Sequence, residues 1–416
     1  MRIEDVCRQL PAARPRRPSG RLLVRLCLMS LVAGGAQADQ GDLLNFTAGV
    51  SHLDDSNLFR LASGVDPRPL VGSEERGDRV TTTSFGVNLR KSLSMQQFEA
   101  NWDHFSNRYA RYGFLDSDIN NGRLAWLWQL TPEVRGNLSH SRTQALLGFA
   151  DYTNYGVRNL RKTTVHRADA DWSVFRTGWH LRAGIDRYEI RNSETFSQDE
   201  GSQTDSGDVA VRHVFASGNW ADVFVRAGSG EFLGRSLDAA RQLDTGFAER
   251  RYEFRMSWSH GKSSLLGGVG YARRQYDHFS GRNYGEPVGN LSWTWAASDK
   301  SALRVAWRRD LLAYTDQSAS YYRQDVFSVK PVWQIDSKLR LSANVDHARR
   351  DYRGAIAPVA WASRDERVTT ARLEAEWAPW RALFVNAYVV REKRDSSLPA
   401  GDYSARQLGL GLRAEF

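Results

Sequence analysis

Beyond its first forty residues the sequence has no long hydrophobic run. A helix needs about 20 consecutive apolar residues to cross a bilayer, whereas this 416-residue chain is 41% hydrophobic with a mean hydropathy of −0.53. Membrane-spanning helices are therefore excluded from 39–416. Cysteine is almost as scarce, and both examples, Cys7 and Cys27, fall in the first 38 residues. That segment has basic residues (Arg14, Arg16, Arg17, Arg21, Arg25), an apolar run over 22–32 and small residues ending Ala36-Gln37-Ala38. This is the pattern of a secretory signal peptide cleaved after Ala38. The expected division is a signal peptide over 1–38 and an exported barrel over 39–416, the latter with no disulfide or thiolate metal site.

A large net excess of one charge is also missing from the exported part. The leader holds seven arginines against Glu4 and Asp5, so it carries five of the formal +9; the remainder, with 50 basic and 46 acidic residues, is near +4. Nucleic-acid binding would want a one-sided basic surface, and none is expected here. The nine histidines form no His-x-x-x-His zinc pair. His166 and His213, candidates for a hydrolase at the barrel rim, fall in mid-strand. The glycines of 228–234 miss the dinucleotide-binding spacing and end a strand with no helix after it. Asp54, Asp55 and Asn57 offer oxygens for calcium but lack an EF-hand's spacing and glycine, and a solvated polar loop explains them equally well. No catalytic residue, metal or cofactor is expected.

Strict alternation is what remains, and it is everywhere. Thr369, Ala371, Leu373, Ala375 and Trp377 alternate with Thr370, Arg372, Glu374 and Glu376; His166, Ala168, Ala170, Trp172 and Val174 alternate with Arg167, Asp169, Asp171 and Ser173. A soluble sandwich alternates as well, so the loops decide. Short connections recur at every second junction (92–94, 131–133, 176–178, 217–219, 260–262, 298–300, 336–338, 378–379), and longer polar ones intervene (54–78, 147–159, 192–203, 236–245, 353–365, 394–402). Such regular alternation predicts an all-β fold: a transmembrane up-and-down antiparallel β-barrel with short periplasmic turns and longer extracellular loops, in the outer membrane of a Gram-negative bacterium. Strands counted from 43–53 to 403–416 number eighteen. Sixteen is the alternative count, because 134–141 and 267–271 are weak.

Two sets of side chains follow. Trp128, Trp179, Trp220, Trp258, Trp295, Trp333, Trp377 and Trp380 lie near short turns and predict a periplasmic aromatic girdle, joined by Phe416 as the last lipid-facing position after Leu408, Leu410, Leu412 and Ala414. The charged face predicts a lumen lined by Arg167, Asp169, Asp171, Arg212, Arg251, Glu253, Arg255, Arg304, Arg308, Arg372, Glu374, Glu376 and Arg413. Pairing that stiffens the wall is the plainer role for these, and attraction of anionic solutes the functional one. Loop aromatics (Phe149, Tyr152, Tyr155, Tyr276, Phe279, Tyr284, Tyr314, Tyr321, Tyr322) are expected at an outer girdle, with stacking on sugar rings as the alternative. The expected partners are outer-membrane lipid and the barrel-assembly machinery, which reads a terminal aromatic of this kind.

Several segments carry a family resemblance: Gly41-Asp42 with Asp55-Ser56-Asn57-Leu58-Phe59-Arg60, then Gly261-Lys262-Ser263-Ser264, Trp293-Thr294-Trp295 and Arg350-Asp351-Tyr352-Arg353-Gly354. In order and spacing they resemble the EpsL-type β-barrel proteins of exosortase-associated exopolysaccharide loci, over nearly the whole exported chain. The resemblance implies a part in exopolysaccharide production or export, with the polymer and other export components as partners. It brings no catalytic residues. A general diffusion porin and a surface barrel that binds or anchors polysaccharide are the competing readings.

Overall fold

A computed structural model describes residues 44–151, 155–174, 177–194, 201–314, 318–356 and 364–416; the predicted signal peptide lies outside them. Eighteen antiparallel strands run in order: β1 (Leu44–Asp55), β2 (Asp78–Leu93), β3 (Gln96–Tyr109), β4 (Ser117–Gln129), β5 (Val134–Leu146), β6 (Leu160–Ser173), β7 (Trp179–Asn192), β8 (Ser202–Val214) and β9 (Trp220–Phe232), followed by β10 (Gly246–His260), β11 (Ser263–Tyr276), β12 (Tyr284–Ser298), β13 (Ser301–Ala313), β14 (Tyr321–Gln334), β15 (Leu339–Arg353), β16 (Asp365–Trp380), β17 (Leu383–Ser396) and β18 (Tyr403–Glu415). Each pairs with its sequence neighbour, and β1 pairs with β18 to close the barrel. The count of eighteen holds, and both weak segments form full strands, β5 and β11.

Closure removes the sheet edges that would otherwise leave backbone donors and acceptors unpaired in lipid. At the seam, Phe46 and Phe416 exchange two backbone hydrogen bonds of 2.9 Å each, so the last residue of the chain belongs to the closed ladder. Connections alternate as expected. At one end they span two to five residues, as at 94–95, 261–262 and 299–300; at the other they span six to twenty-two, the longest being 56–77. In the 261–262 hairpin Gly261 takes the positive φ, +54°, that a two-residue turn between twisted strands demands. β1 starts and β18 ends at the short-turn end, which is the periplasmic one.

The strands are longer than the ten residues that would just cross the apolar band, ranging from 12 in β1 to 16 in β2 and β16. Thirteen residues at about 3.3 Å each, tilted by about 45°, rise about 30 Å, against an apolar band of about 25 Å. The surplus projects beyond the hydrocarbon at the rims. Leu124, Leu138, Ile185, Val223, Val269, Leu373 and Leu410 stand exposed on the outer face, at 51 to 66% of their surface, as lipid-facing side chains do. Apart from Ala125 and Ala210, the buried apolar residues are not spread along the barrel axis. They gather at the extracellular end, where Phe59, Leu61, Val80, Tyr109, Tyr112, Leu115 and Phe149 form one cluster.

Candidate functional site: the lumen and its extracellular mouth

Strand register sets which side chains share a face, because directly opposed residues point the same way. Arg167 stands opposite Asp186, Asp171 opposite Arg182, and Arg212 opposite Asp222, all on the face turned from the exposed leucines. The structure places the other predicted lumen residues, Asp169, Arg251, Glu253, Arg255, Arg304, Arg308, Arg372, Glu374, Glu376 and Arg413, on this inward face too, by the same alternation along β6, β10, β13, β16 and β18.

They lie among ion pairs. Arg167 reaches Asp208 at 2.8 Å and Asp186 at 3.1 Å, and Arg226 meets Asp186 at 2.7 Å. Arg212 and Arg255 converge on Asp222, whose side chain is fully buried, at 2.6 and 2.7 Å. Other pairs run along a single strand at i, i+2: Arg167 to Asp169, Arg251 to Glu253, Arg372 to Glu374 and Arg413 to Glu415, at 2.7 to 3.2 Å. Arg340 bridges to Glu376 at 3.0 Å, and Arg308 to Asp310 at 2.9 Å. Arg304 instead donates to the Ser292 hydroxyl at 2.8 Å. Most like-charged neighbours thus have carboxylates between them, while Arg304 and Lys330 stand opposite one another without one.

Of the predicted girdle, Trp179, Trp258, Trp295, Trp333 and Trp377 are exposed on the outer face near periplasmic turns, as is Trp380. Trp128 also faces outward but lies flat over Gly136, where a Cβ would meet its ring at 2.3 Å. Phe416 faces outward beside Phe46. Trp220 is a correction. It shares the inward face of β9 with Asp222 and Arg226, and the Arg212 guanidinium sits 3.6 Å from its ring centroid. Nearness to a turn does not fix the face; only the parity of the strand does. His166 and His213 point outward, His166 beside His140 and His213 against Trp179.

The mouth was not legible as a unit. In the connection after β1, Asp55 accepts from the Asn57 N–H at 2.9 Å and pairs with Arg60 at 3.0 Å, and the Asn57 amide bridges the N–H and C=O of Leu61. These bonds hold Arg60 at a φ of +56° and turn Phe59 inward until it is fully buried. Asp55 and Asn57 are buried, not solvated, and their oxygens are occupied by the fold; among the described residues no group of three or more His, Cys, Asp and Glu side chains is placed to hold a metal.

Phe59 packs edge-on against Tyr112, with centroids 4.7 Å apart, and against Phe149 at 4.8 Å, with Tyr155 beyond at 6.1 Å. Phe149 and Tyr155 belong to the 147–159 connection, whose described residues up to Asp151 reach across the opening. Asp151 accepts from Arg350 on β15 at 2.7 Å and from Arg394 on β17 at 3.0 Å, and Arg394 also donates to the Ala150 carbonyl. Five strands lie between β5 and β17 around the wall, so this strap spans a chord of the mouth. Behind it, Glu366 is fully buried and receives Arg394, Arg364 at 2.6 Å and Arg350 at 3.6 Å, with the Tyr352 hydroxyl donating at 3.2 Å.

On the other side, Arg282 is 1% exposed. It ties the 277–283 connection to the Gln242 carbonyl at 2.7 Å and to the Ala319 carbonyl at 3.2 Å. Asp244, also buried, accepts from the His278 ring at 2.9 Å. Hydrogen bonding to Asp244 raises the His278 pKa. Burial pushes the Asp244 carboxyl upward, but bonds from the His278 ring and from backbone N–H groups outweigh it and leave its pKa lowered.

Most of the loop aromatics accordingly do not form an outer girdle, although Tyr321 has the outward parity of Phe327 on β14 and Phe279 lies beside His278 at 6.5 Å. Phe149, Tyr155 and Tyr276 pack inside the loops, Tyr284 stacks on Tyr321 at 4.3 Å, and Tyr314 and Tyr322 meet Tyr352 at 5.1 and 5.0 Å. Tyr152 lies outside the described residues. The signal that would have found the strap, a loop carboxylate facing two distant arginines, depends on barrel closure and cannot be seen along the chain.

A closed barrel of eighteen antiparallel strands, apolar and tryptophan-flanked outside and ionic within, is a porin-like β-barrel of the bacterial outer membrane. Residues 264–416, covering nearly all of β11 to β18, match the sequence model of the family described as "Putative beta-barrel porin 2". No curated protein sequence matches the chain. Among solved structures, OccK2 (OpdF) of Pseudomonas aeruginosa is similar at a TM-score of 0.49 and 12% identity, over 90% of this chain and 97% of that one. OpdK of the same organism gives 0.48 and 8%, over 90% and 99%. The P. aeruginosa siderophore receptor PirA gives 0.43 and 8%, over 91% and 81%.

Proposed function

We propose that this barrel is an outer-membrane conduit whose extracellular mouth is held by a strap, and that it serves exopolysaccharide biosynthesis and export, as a channel or as a component of an export complex. The observation that carries the conduit reading is the Asp151 latch. A passive wall has no need of a loop drawn across its own opening onto two arginines of the far strands, whereas a gated passage does. The ionic lattice below it offers hydrogen-bond donors and acceptors at every level, suited to a hydrated, polar chain that moves by exchanging partners.

The polysaccharide part rests on the sequence resemblance. Two of the segments that carry it, 55–60 and 350–354, lie at this mouth: one supplies Phe59 to the buried cluster, and the other supplies Arg350 to the latch and Tyr352 to Glu366. A deletion strain should retain polymer in the periplasm or fail to release it, with recovery on expressing the wild-type gene. Normal polymer in the medium of a clean deletion would sink the polysaccharide reading.

General diffusion is the second reading, favoured by the match of 264–416 to a porin family. Steady, wide conductance of the purified wild-type barrel in a planar bilayer would support it over a latched conduit. Neither reading assigns the barrel any catalysis.

A further inference from the structure

On the outer face, near the extracellular rim, the register sets cations directly against cations. Arg391 on β17 is opposite Arg406 on β18, and Arg349 on β15 is opposite Arg367 on β16. Directly opposed like charges destabilise a sheet. One such pair in the lumen is relieved from within the protein: Arg226 and Arg251 stand opposite one another, but each has its own carboxylate, Asp186 and Glu253. Outside, Arg349 has Asp365 at 2.8 Å. Arg367, Arg391 and Arg406 are all exposed, and among the described residues none has a carboxylate within salt-bridge reach: Asp395, which stands opposite Arg367 on β17, pairs with Lys393 at 2.7 Å instead.

Their height on the wall matters as much. Two residues below Arg391 on the same face is Val389, and two below Arg406 is Leu408, which stands opposite Val389 and is 47% exposed. A step of two residues along a strand is about 6.6 Å, so these guanidiniums sit just past the edge of the apolar band. That is the depth of the head groups in the outer leaflet. A lipid phosphate there would supply the missing counter-charge, and the planar fork of arginine matches a phosphate through paired N–H donors.

We propose that Arg367, Arg391 and Arg406 form a binding surface for the phosphates of the outer-leaflet glycolipid, the diphosphorylated glucosamine head of lipid A. The surface anchors the rim of β16 to β18 at a fixed depth, on the side of the barrel from which Arg394 holds the strap. The inference depends on strand register and exposure alone, and it stands whichever cargo the lumen takes.

The test is titration of the folded, detergent-solubilised full-length barrel with diphosphoryl lipid A, followed by native mass spectrometry. The wild type should bind saturably, and R367Q/R391Q/R406Q should lower the affinity tenfold or more. K91Q, which removes an outward cation near the periplasmic end of β2, should leave it unchanged. Single R391Q and R406Q variants cover the case in which the triple variant misfolds. Enzymatically dephosphorylated lipid A and phosphatidylglycerol are the ligand controls, and both should bind at least tenfold more weakly to the wild type. Equal affinity in the folded arginine variants would overturn the proposal. So would equal binding of dephosphorylated lipid, which points to acyl-chain contact, or of phosphatidylglycerol, which points to unspecific charge attraction.

Discussion

Replacing Asp151 with alanine removes the strap's ionic hold while sparing the wall behind it. Asp151 accepts two charge-assisted hydrogen bonds, at 2.7 Å from Arg350 and 3.0 Å from Arg394. Such bonds contribute about 1.5–3 kcal/mol each when well shielded. The Asp151 side chain is 32% exposed, and solvent screening cuts the pair to roughly 1–2 kcal/mol in total. Arg394, 3% exposed, keeps Glu366 as its partner, so the change strands no buried charge. At 1.4 kcal/mol per factor of ten, the ratio of strapped to unstrapped mouth should fall by about 5- to 30-fold. Single-channel recording in a planar bilayer reads this as shorter closed intervals, with the conductance of the open level unchanged. Glu74→Ala, which removes only an exposed pair with Arg68, serves as the control. Closed intervals of wild-type length in a folded Asp151→Ala barrel would refute the assignment of the strap as a latch.

Three further outcomes follow from the same structure. Deleting Phe416 removes both seam hydrogen bonds to Phe46, each contributing about 1 kcal/mol, together with the terminal aromatic; the fraction of heat-modifiable, folded barrel in outer-membrane preparations should drop severalfold, and an unchanged fraction would refute the placement of the seam. Because the bond to Asp244 raises the His278 pKa, its stabilisation is complete below the unfolded value of about 6.5 and fades as pH climbs through the raised folded value. Protease protection of the 277–283 connection should therefore decline on the alkaline side, and Asp244→Asn should flatten that dependence; equal slopes would contradict it. In vesicles of brominated lipid, fluorescence of a barrel keeping only Trp377 should be quenched and that of one keeping only Trp220 should not, since their faces are opposite; matching quenching would place Trp220 in lipid.

The barrel was legible because alternation acts locally: each strand must turn one face to lipid and the other inward, and the sequence from 369 to 377 says so without its neighbours. Even the strand count survives, since short turns such as Gly261-Lys262 mark themselves. Trp220 shows the limit. A tryptophan near a turn looks like a girdle residue until the parity with Asp222 is followed, after which it belongs with Arg212 in the lumen. The mouth was harder still. Phe59, Phe149 and Tyr112 come from three separate connections, and Asp151 meets arginines 199 and 243 residues away. No period in the sequence encodes such meetings, which exist only once β1 and β18 close the circle. The charges assigned to the lumen kept their face, while their partners, such as Asp186 and Asp208 for Arg167, emerged only from the register.

The described residues contain no cysteine, which permits the most direct test of a strapped conduit. Ala150→Cys and Arg394→Cys, joined by a reducible bismaleimide, replace the Arg394 anchor with a covalent link to β17 while Arg350 stays on Asp151 and Arg364 on Glu366, and the current through one bilayer can be followed before and after reductant. The account predicts a low current while the link is intact and a rise of severalfold on its reduction. A current that is the same in both states would contradict it, because passage would then not depend on the strap at all.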